Sequence, residues 1–211
     1  MSTLAELSQA VESGKRKDAT AITQALLDGG MAPRDIAEQG LVPGMSSIGE
    51  KFKNNEVFVP EMLIAARAMK ERMAILEPLL AEAGVKPKHT AVIGTVKGDI
   101  HDIGKNLVAM MLKGANFGVV DLGTNVSPDQ FVAAAREHEA KLVCLSALLT
   151  TTMPAMKTTV DAIRGSDVAS VRVMIGGAPV TQAYCEEIGA DGYGPDAASA
   201  VDVALQLAEA G

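Results

Sequence analysis

Tryptophan is absent from this 211-residue chain, and aromatic residues make up only 3% of it. Any core must therefore be built from Ala, Val, Ile, Leu and the 11 methionines. Cysteine is nearly absent too. Cys144 and Cys185 cannot make a disulfide framework, and no zinc-ligand spacing surrounds them. Cys144 lies inside the apolar run Leu142–Leu145 and reads as a small buried hydrophobe. Long apolar runs are missing, which excludes a membrane span. Glu6 and Glu12 stand where a secretory signal would have its apolar stretch. A cytoplasmic, reducing setting is expected. Clustered positive charge is missing as well. The net charge is −7, and the one basic cluster, Lys15-Arg16-Lys17, adjoins Asp18 and reads as a solvated helix face. A nucleic-acid or anionic-membrane surface is thereby disfavoured.

What is present divides into two halves with different periods. Residues 1–84 show only helical spacing: Leu4, Leu7 and Val11, then Ala19, Ile22 and Leu26 ahead of Gly29-Gly30. Pro33 and Asp35 suit a first helical turn. Pro43 and Gly44 predict either two short helices or one kinked helix between Pro33 and Lys53. A last helix is expected from about Pro60 to Ala83, bent at Pro78 and ended by Gly84, with Met62, Met69 and Met73 near one face. Four helices make a small bundle. Residues 85–89, with a proline and two lysines, read as a linker.

From Thr90 to the end, residues 90–211, strands and helices alternate. Ala91–Ile93, Phe117–Leu122, Leu142–Leu145, Val171–Ile175 and a weak Asp191–Tyr193 are the strands. Helical segments fall near 103–114, 128–139, 153–164, 180–188 and 196–209. Strict alternation implies parallel strands with right-handed crossovers. Uninterrupted apolar strands imply a sheet covered on both faces. The expected fold is an α/β doubly wound parallel sheet of the Rossmann or flavodoxin-like kind, preceded by the helical bundle.

In such sheets ligands bind beyond the carboxyl ends of the strands, at the point where strand order reverses. Three motifs fall there if the order is 2-1-3-4-5. The run Gly98-Asp99-Ile100-His101-Asp102-Ile103-Gly104 follows the first strand. It places an imidazole, a common metal ligand, two residues from a carboxylate that can fix its tautomer. Ser146-Ala147-Leu148 ends the third strand and offers one hydroxyl. Gly176-Gly177 ends the fourth and leaves room for a flat or elongated group. Each motif also has an ordinary reading. Asp99 or Asp102 could cap the helix near Ile103, and glycines commonly follow strands. Their joint occurrence on three matched loops favours a site.

Asp99-x-His101-x-x-Gly104, Ser146-x-Leu148 and Gly176-Gly177, in this order and at these intervals, resemble the signature of cobalamin-binding domains. The helical half, through Phe58-Val59-Pro60-Glu61-Met62 and Leu76-Glu77-Pro78, resembles the cap domain that precedes this fold in methionine synthase. It is similar too to the stand-alone corrinoid proteins of methanol, methylamine and aromatic O-demethylase systems. The resemblance implies a cofactor, cobalamin as methylcobalamin or a related corrinoid, bound base-off and His-on. His101 would be the axial ligand of cobalt and Asp99 its hydrogen-bond partner. Thr152 would stand where methionine synthase has the serine of a Ser–Asp–His relay. Asp102, Ile103, Gly104, Ser146, Leu148, Thr150, Gly176 and Gly177 would surround the cofactor and its displaced nucleotide tail. Phe58 and Met62 would cover its upper face.

The implied function is methyl carriage. A substrate:corrinoid methyltransferase would load the methyl group, and a second methyltransferase would pass it to tetrahydrofolate or coenzyme M. A reductive activase would restore the reduced cofactor, and the 85–89 linker would let the cap swing aside. No stretch remains for a barrel that binds donor or acceptor, so the chain reads as a carrier subunit rather than a complete enzyme. A cobalamin-binding sensor would be expected to add a signalling segment. A mutase subunit would need room for a bulkier adenosyl group. A flavodoxin-like domain with a chance motif would bind no corrinoid.

Overall fold

A computed structural model describes residues 2–84 and 87–210. The chain forms two compact units. One comprises the chain up to Pro87 together with Lys113–Asn116, and the other comprises Lys88–Leu112 and the chain from Phe117 onward. Val85 and Lys86 of the expected linker lie outside the described residues. His89, its last residue, already belongs to the first strand.

The first unit is helical. It contains α1 (Leu4–Glu12), α2 (Arg16–Asp28), α3 (Pro33–Asp35), a π-helical segment (Ile36–Leu41), α4 (Val42–Lys53) and α5 (Val59–Glu82). Thr3 and Glu6 close a reciprocal capping box at the start of α1. Of the two expected outcomes between Pro33 and Lys53, two short helices is not what forms: the helix runs on from α3 through the π segment into α4. Val42 N–H reaches back five residues to the Ala37 carbonyl. The change of register thus falls at Pro43, which has no N–H to contribute to either register. Gly44 serves packing instead of interruption. A Cβ there would come within 2.6 Å of the Ser8 carbonyl, so only glycine lets α1 and α4 approach so closely. Helix α5 continues through Pro78 to Glu82.

The second unit is a five-stranded parallel sheet in the order β2-β1-β3-β4-β5. Its strands are β1 (His89–Thr95), β2 (Phe117–Asp121), β3 (Leu142–Ser146), β4 (Arg172–Gly176) and β5 (Gly192–Gly194). Helices α6 (Ile103–Gly114), α7 (Pro128–Glu137), α8 (Met153–Arg164), α9 (Gln182–Ile188) and α10 (Ala197–Glu209) alternate with them. This is the doubly wound arrangement expected from the alternating pattern. Strand β4 is shifted by one residue from its expected bounds, since Val171 lies before the ladder and Gly176 closes it.

Val92, Val143, Val173 and Ile175 meet Phe131, Met156 and Ile163 in one buried core. Phe131, fully buried, is the largest side chain in it, and its burial contributes about 2–3 kcal/mol. At the carboxyl edge Thr95, Ser146, Gly176 and Gly194 stand in one register row across four strands. The order reverses between β1 and β3, and the loops after these two strands define the site.

Candidate functional site

Asp99 is the hub of the loop after β1. It is fully buried, and every bond to its carboxylate comes from a neutral donor or from an imidazole. Oδ2 accepts the Thr152 hydroxyl at 2.7 Å and the Leu148 N–H at 2.8 Å. Oδ1 accepts the His101 backbone N–H at 3.0 Å and faces His101 Nδ1 at 2.8 Å. Burial alone would push the carboxyl up. The bonds from Thr152, His101 and Leu148 overcome that and hold it well below the ordinary carboxylate range. An anionic Asp99 can only accept, so the His101 proton sits on Nδ1 and the lone pair on Nε2. His101 is thus presented as a ligand, its side chain 45% exposed.

Asp99 does not cap the following helix, because its oxygens are committed elsewhere. Asp102 is exposed, and its Oδ2 accepts from Asn106 Nδ2 at 2.9 Å. Thr152, just ahead of α8, also lies 2.9 Å from the Leu149 carbonyl. Its single hydroxyl proton is thus shared between that carbonyl and Asp99. The methyl that distinguishes it from serine does not prevent the bond to Asp99.

The three expected loops meet at one edge. Ser146 pairs in register with Gly176, and Ala147 N–H donates to the Gly176 carbonyl at 3.3 Å. Gly177 sits at φ +138°, and a Cβ there would lie 1.8 Å from the Ala147 carbonyl oxygen. No side chain can occupy that position without backbone displacement, so only glycine lets the loops after β3 and β4 come this close. A Cβ on Gly104 would meet no protein atom within 4 Å, so the chain's own packing does not demand glycine there. Thr150 is exposed on the loop after β3. In the helical unit Phe58 is 65% exposed, whereas Met62 is fully buried.

Around His101 stand apolar side chains that water would not favour. Ile100 and Ile103 are 75% and 80% exposed, and Leu148 and Leu149 are each more than 40% exposed. Exposed patches of this kind mark binding surfaces. Ile103 and Leu148 were expected at the site from the motif. Ile100 and Leu149 were not, although each adjoins a motif residue, because exposure cannot be read from a loop's sequence. Thr95 was also missed. It is buried, and its hydroxyl donates to the His101 carbonyl at 2.9 Å.

One histidine is not enough to capture a bare ion. Among the described residues no group of three or more His, Cys, Asp or Glu side chains could hold one. A single oriented imidazole beside an apolar rim suits a metal already held in a flat apolar macrocycle. Fold and site together define a macrocycle-binding doubly wound domain behind a helical unit. Comparison with known proteins gives the same class. Residues 89–202 match the B12 binding domain family, and residues 3–77 match a second B12 binding domain model. The chain belongs to the B12-binding family, and its cofactor is cobalamin or a related corrinoid.

A corrinoid protein of Desulfitobacterium hafniense (strain Y51) is 40% identical over 211 residues, 98% of each chain. Dimethylamine corrinoid protein 1 of Methanosarcina acetivorans is 40% identical over 206 residues, 97% of this chain and 96% of that one. Among solved structures, the methanol:cobalamin methyltransferase complex MtaBC from Methanosarcina barkeri aligns with a TM-score of 0.86 at 29% identity. That alignment covers 99% of this chain and 80% of the other. The chain is thus similar over nearly its whole length to corrinoid proteins of methyltransferase systems. No helix among the described residues is long and apolar enough to cross a membrane.

Proposed function

We propose that this chain is a methyl carrier, with His101 Nε2 as the lower axial ligand of a base-off corrinoid. The observation that carries the reading is the 2.8 Å contact between His101 Nδ1 and a buried carboxylate held anionic by neutral donors. When bound, the corrinoid supplies the cobalt on which the methyl group is accepted and given up. The chain supplies orientation and charge. Asp99 would keep the Nδ1 proton in place and so present the Nε2 lone pair to the metal. Thr152 and the Leu148 N–H hold Asp99 in that role. Ile100, Ile103, Leu148 and Leu149 bear against the apolar macrocycle. The edge beside Ser146, Gly176 and Gly177 takes the displaced nucleotide tail, with Asp102, Gly104 and Thr150 on its approaches.

The proposed partners follow from similarity to the methylamine and methanol systems. One methyltransferase loads the methyl group from a substrate, and a second delivers it to tetrahydrofolate or coenzyme M. An activase re-reduces the cofactor. We place the chain in the cytoplasm. The helical unit, residues 1–84, is proposed to cover the upper face through Phe58, and the part of 85–89 that precedes β1 to act as its hinge. Shortening that hinge should slow methyl transfer while leaving the corrinoid bound.

The test of the ligand is electron paramagnetic resonance of the Co(II) form. His101→Ala should abolish nitrogen splitting from a protein imidazole. Splitting that persists in this variant refutes the assignment.

A further inference from the structure

We infer that Asn125, in the loop between β2 and α7, is a positioning residue for the Asp99–His101 pair. This rests on the ligand role of His101 proposed above. The loop lies on the opposite side of β1 from Thr152 and Leu148, and Asn125 grips the main chain on both sides of Asp99. Its side-chain Oδ1 accepts the Gly98 N–H at 2.8 Å. Its own N–H donates to the Asp99 carbonyl at 2.9 Å. Between these two bonds the Asp99 N–H donates to the Val96 carbonyl at 3.1 Å. Three consecutive peptide groups, 97–98, 98–99 and 99–100, are therefore pinned.

Pinning matters because of what Asp99 must do. Four bonds converge on its carboxylate from fixed directions, and hydrogen bonds weaken steeply when bent. The direction of the Cα–Cβ bond is set by the peptides on either side of it. Gly98 has φ +85° and so adds freedom just where aim is needed. Asn125 removes that freedom. It does so from a left-handed conformation, φ +55°, which asparagine tolerates and β-branched residues do not. The loop carrying it is itself tied to β1. Thr95 N–H donates to the Gly123 carbonyl and Val126 N–H to the Thr95 carbonyl, each at 2.9 Å. Both of these bonds from Asn125 go to the main chain flanking Asp99, and none joins it to His101 among the described residues, so its hydrogen-bonding effect passes through Asp99.

The experiment compares Asn125→Gly with Asn125→Asp. Glycine keeps the backbone conformation but loses the acceptor, whereas aspartate keeps both. Two readouts at neutral pH are used. One is the His-on fraction of the Co(II)-loaded protein from nitrogen splitting. The other is the Nδ1–H tautomer fraction of His101 in cofactor-free protein by nitrogen-15 NMR. Asn125→Gly should lower the ratio of ordered to disordered imidazole about fivefold, as loss of one neutral hydrogen bond does. Asn125→Asp should restore it. If Asn125→Gly matches wild type in both readouts, the clamp is refuted while the ligand role of His101 stands. If wild type itself shows no imidazole splitting that His101→Ala removes, the ligand role fails and the clamp falls with it.

Discussion

Two aspartates, Asp99 fully buried and Asp191 partly so, mark opposite edges of the same sheet, and they are kept anionic by different means. Asp191 lies at the edge where the strands begin. It bonds Arg164 and Arg172 and accepts the Val173 N–H at 2.6 Å. Burial pushes its carboxyl up, but the Val173 N–H and the two guanidiniums bring it below the ordinary range. Asp99, at the edge where the strands end, is also lowered, yet its bonds come from a hydroxyl, two backbone N–H groups and an imidazole. At the lower edge the charge is cancelled by fixed cations and only holds the chain together. At the upper edge no arginine or lysine bonds the carboxylate among the described residues. Its charge is left to orient the one ring bonded to it, the His101 imidazole.

The division can be tested by breaking each end in turn. The largest expected effect on stability is from Asp191→Ala. It removes an acceptor from Arg172 and the Val173 N–H, while Arg164 keeps the Ala169 and Val171 carbonyls, and should cost about 2 kcal/mol in urea unfolding. Corrinoid retention at a temperature where the variant is still folded should be unchanged. Asp99→Asn should do the reverse. The amide mismatches the Leu148 N–H and Thr152 hydroxyl only locally, so unfolding should shift by about 1 kcal/mol. Corrinoid affinity should fall about 10–100-fold, since the imidazole loses its orienting charge. If both variants lost affinity equally, the two edges would not be separate in function.

Thr152 sharpens the comparison further. Thr152→Val removes a buried donor to Asp99 and should cost about 1 kcal/mol, while Thr152→Ser should retain the His-on signal of the Co(II) form. Acid should act on both edges in one direction. Both folded values lie below the ordinary aspartate range of about 4, so the stability they contribute is complete above that pH. It is lost as pH falls from there toward the folded values. The urea midpoint between pH 6 and pH 3 should therefore drop less in Asp191→Ala than in wild type. The smallest effect belongs to Cys144, on β3 between the two edges. Burial pushes its thiol up to about 12, so it should resist alkylation at pH 8 until the protein unfolds.

The alternation of strands and helices and the three loops that follow strands were legible because each rests on a local signal, whereas strand order entered only as a condition that the structure meets. Apolar runs of four or five residues bounded by glycine, and helical spacing between them, need no tertiary knowledge. His101 and Asp99 were legible for the same reason, being two residues apart. Of the two outcomes expected around Pro43-Gly44, two short helices or one interrupted in register, the structure takes the second, for a physical reason. Proline and glycine interrupt an isolated helix, but here a π turn absorbs the first, and contact with α1 explains the second. Thr95, Ile100, Leu149 and Asn125 carry no such signal. Threonine and asparagine in loops have many uses, and an exposed isoleucine looks in sequence like a buried one.

By itself the sequence determined which residues could ligate and which segments would be strands and helices, because periodicity and short spacings act within a few residues. Only the tertiary structure decided that Asp99 meets Thr152 from 53 positions away and is approached from the other side by Asn125. It also decided that Asp191 is cancelled where Asp99 is not. Those outcomes depend on which groups the parallel crossovers bring together at each edge of the sheet. A carboxylate's charge is set by such neighbours in space rather than by its neighbours in the chain.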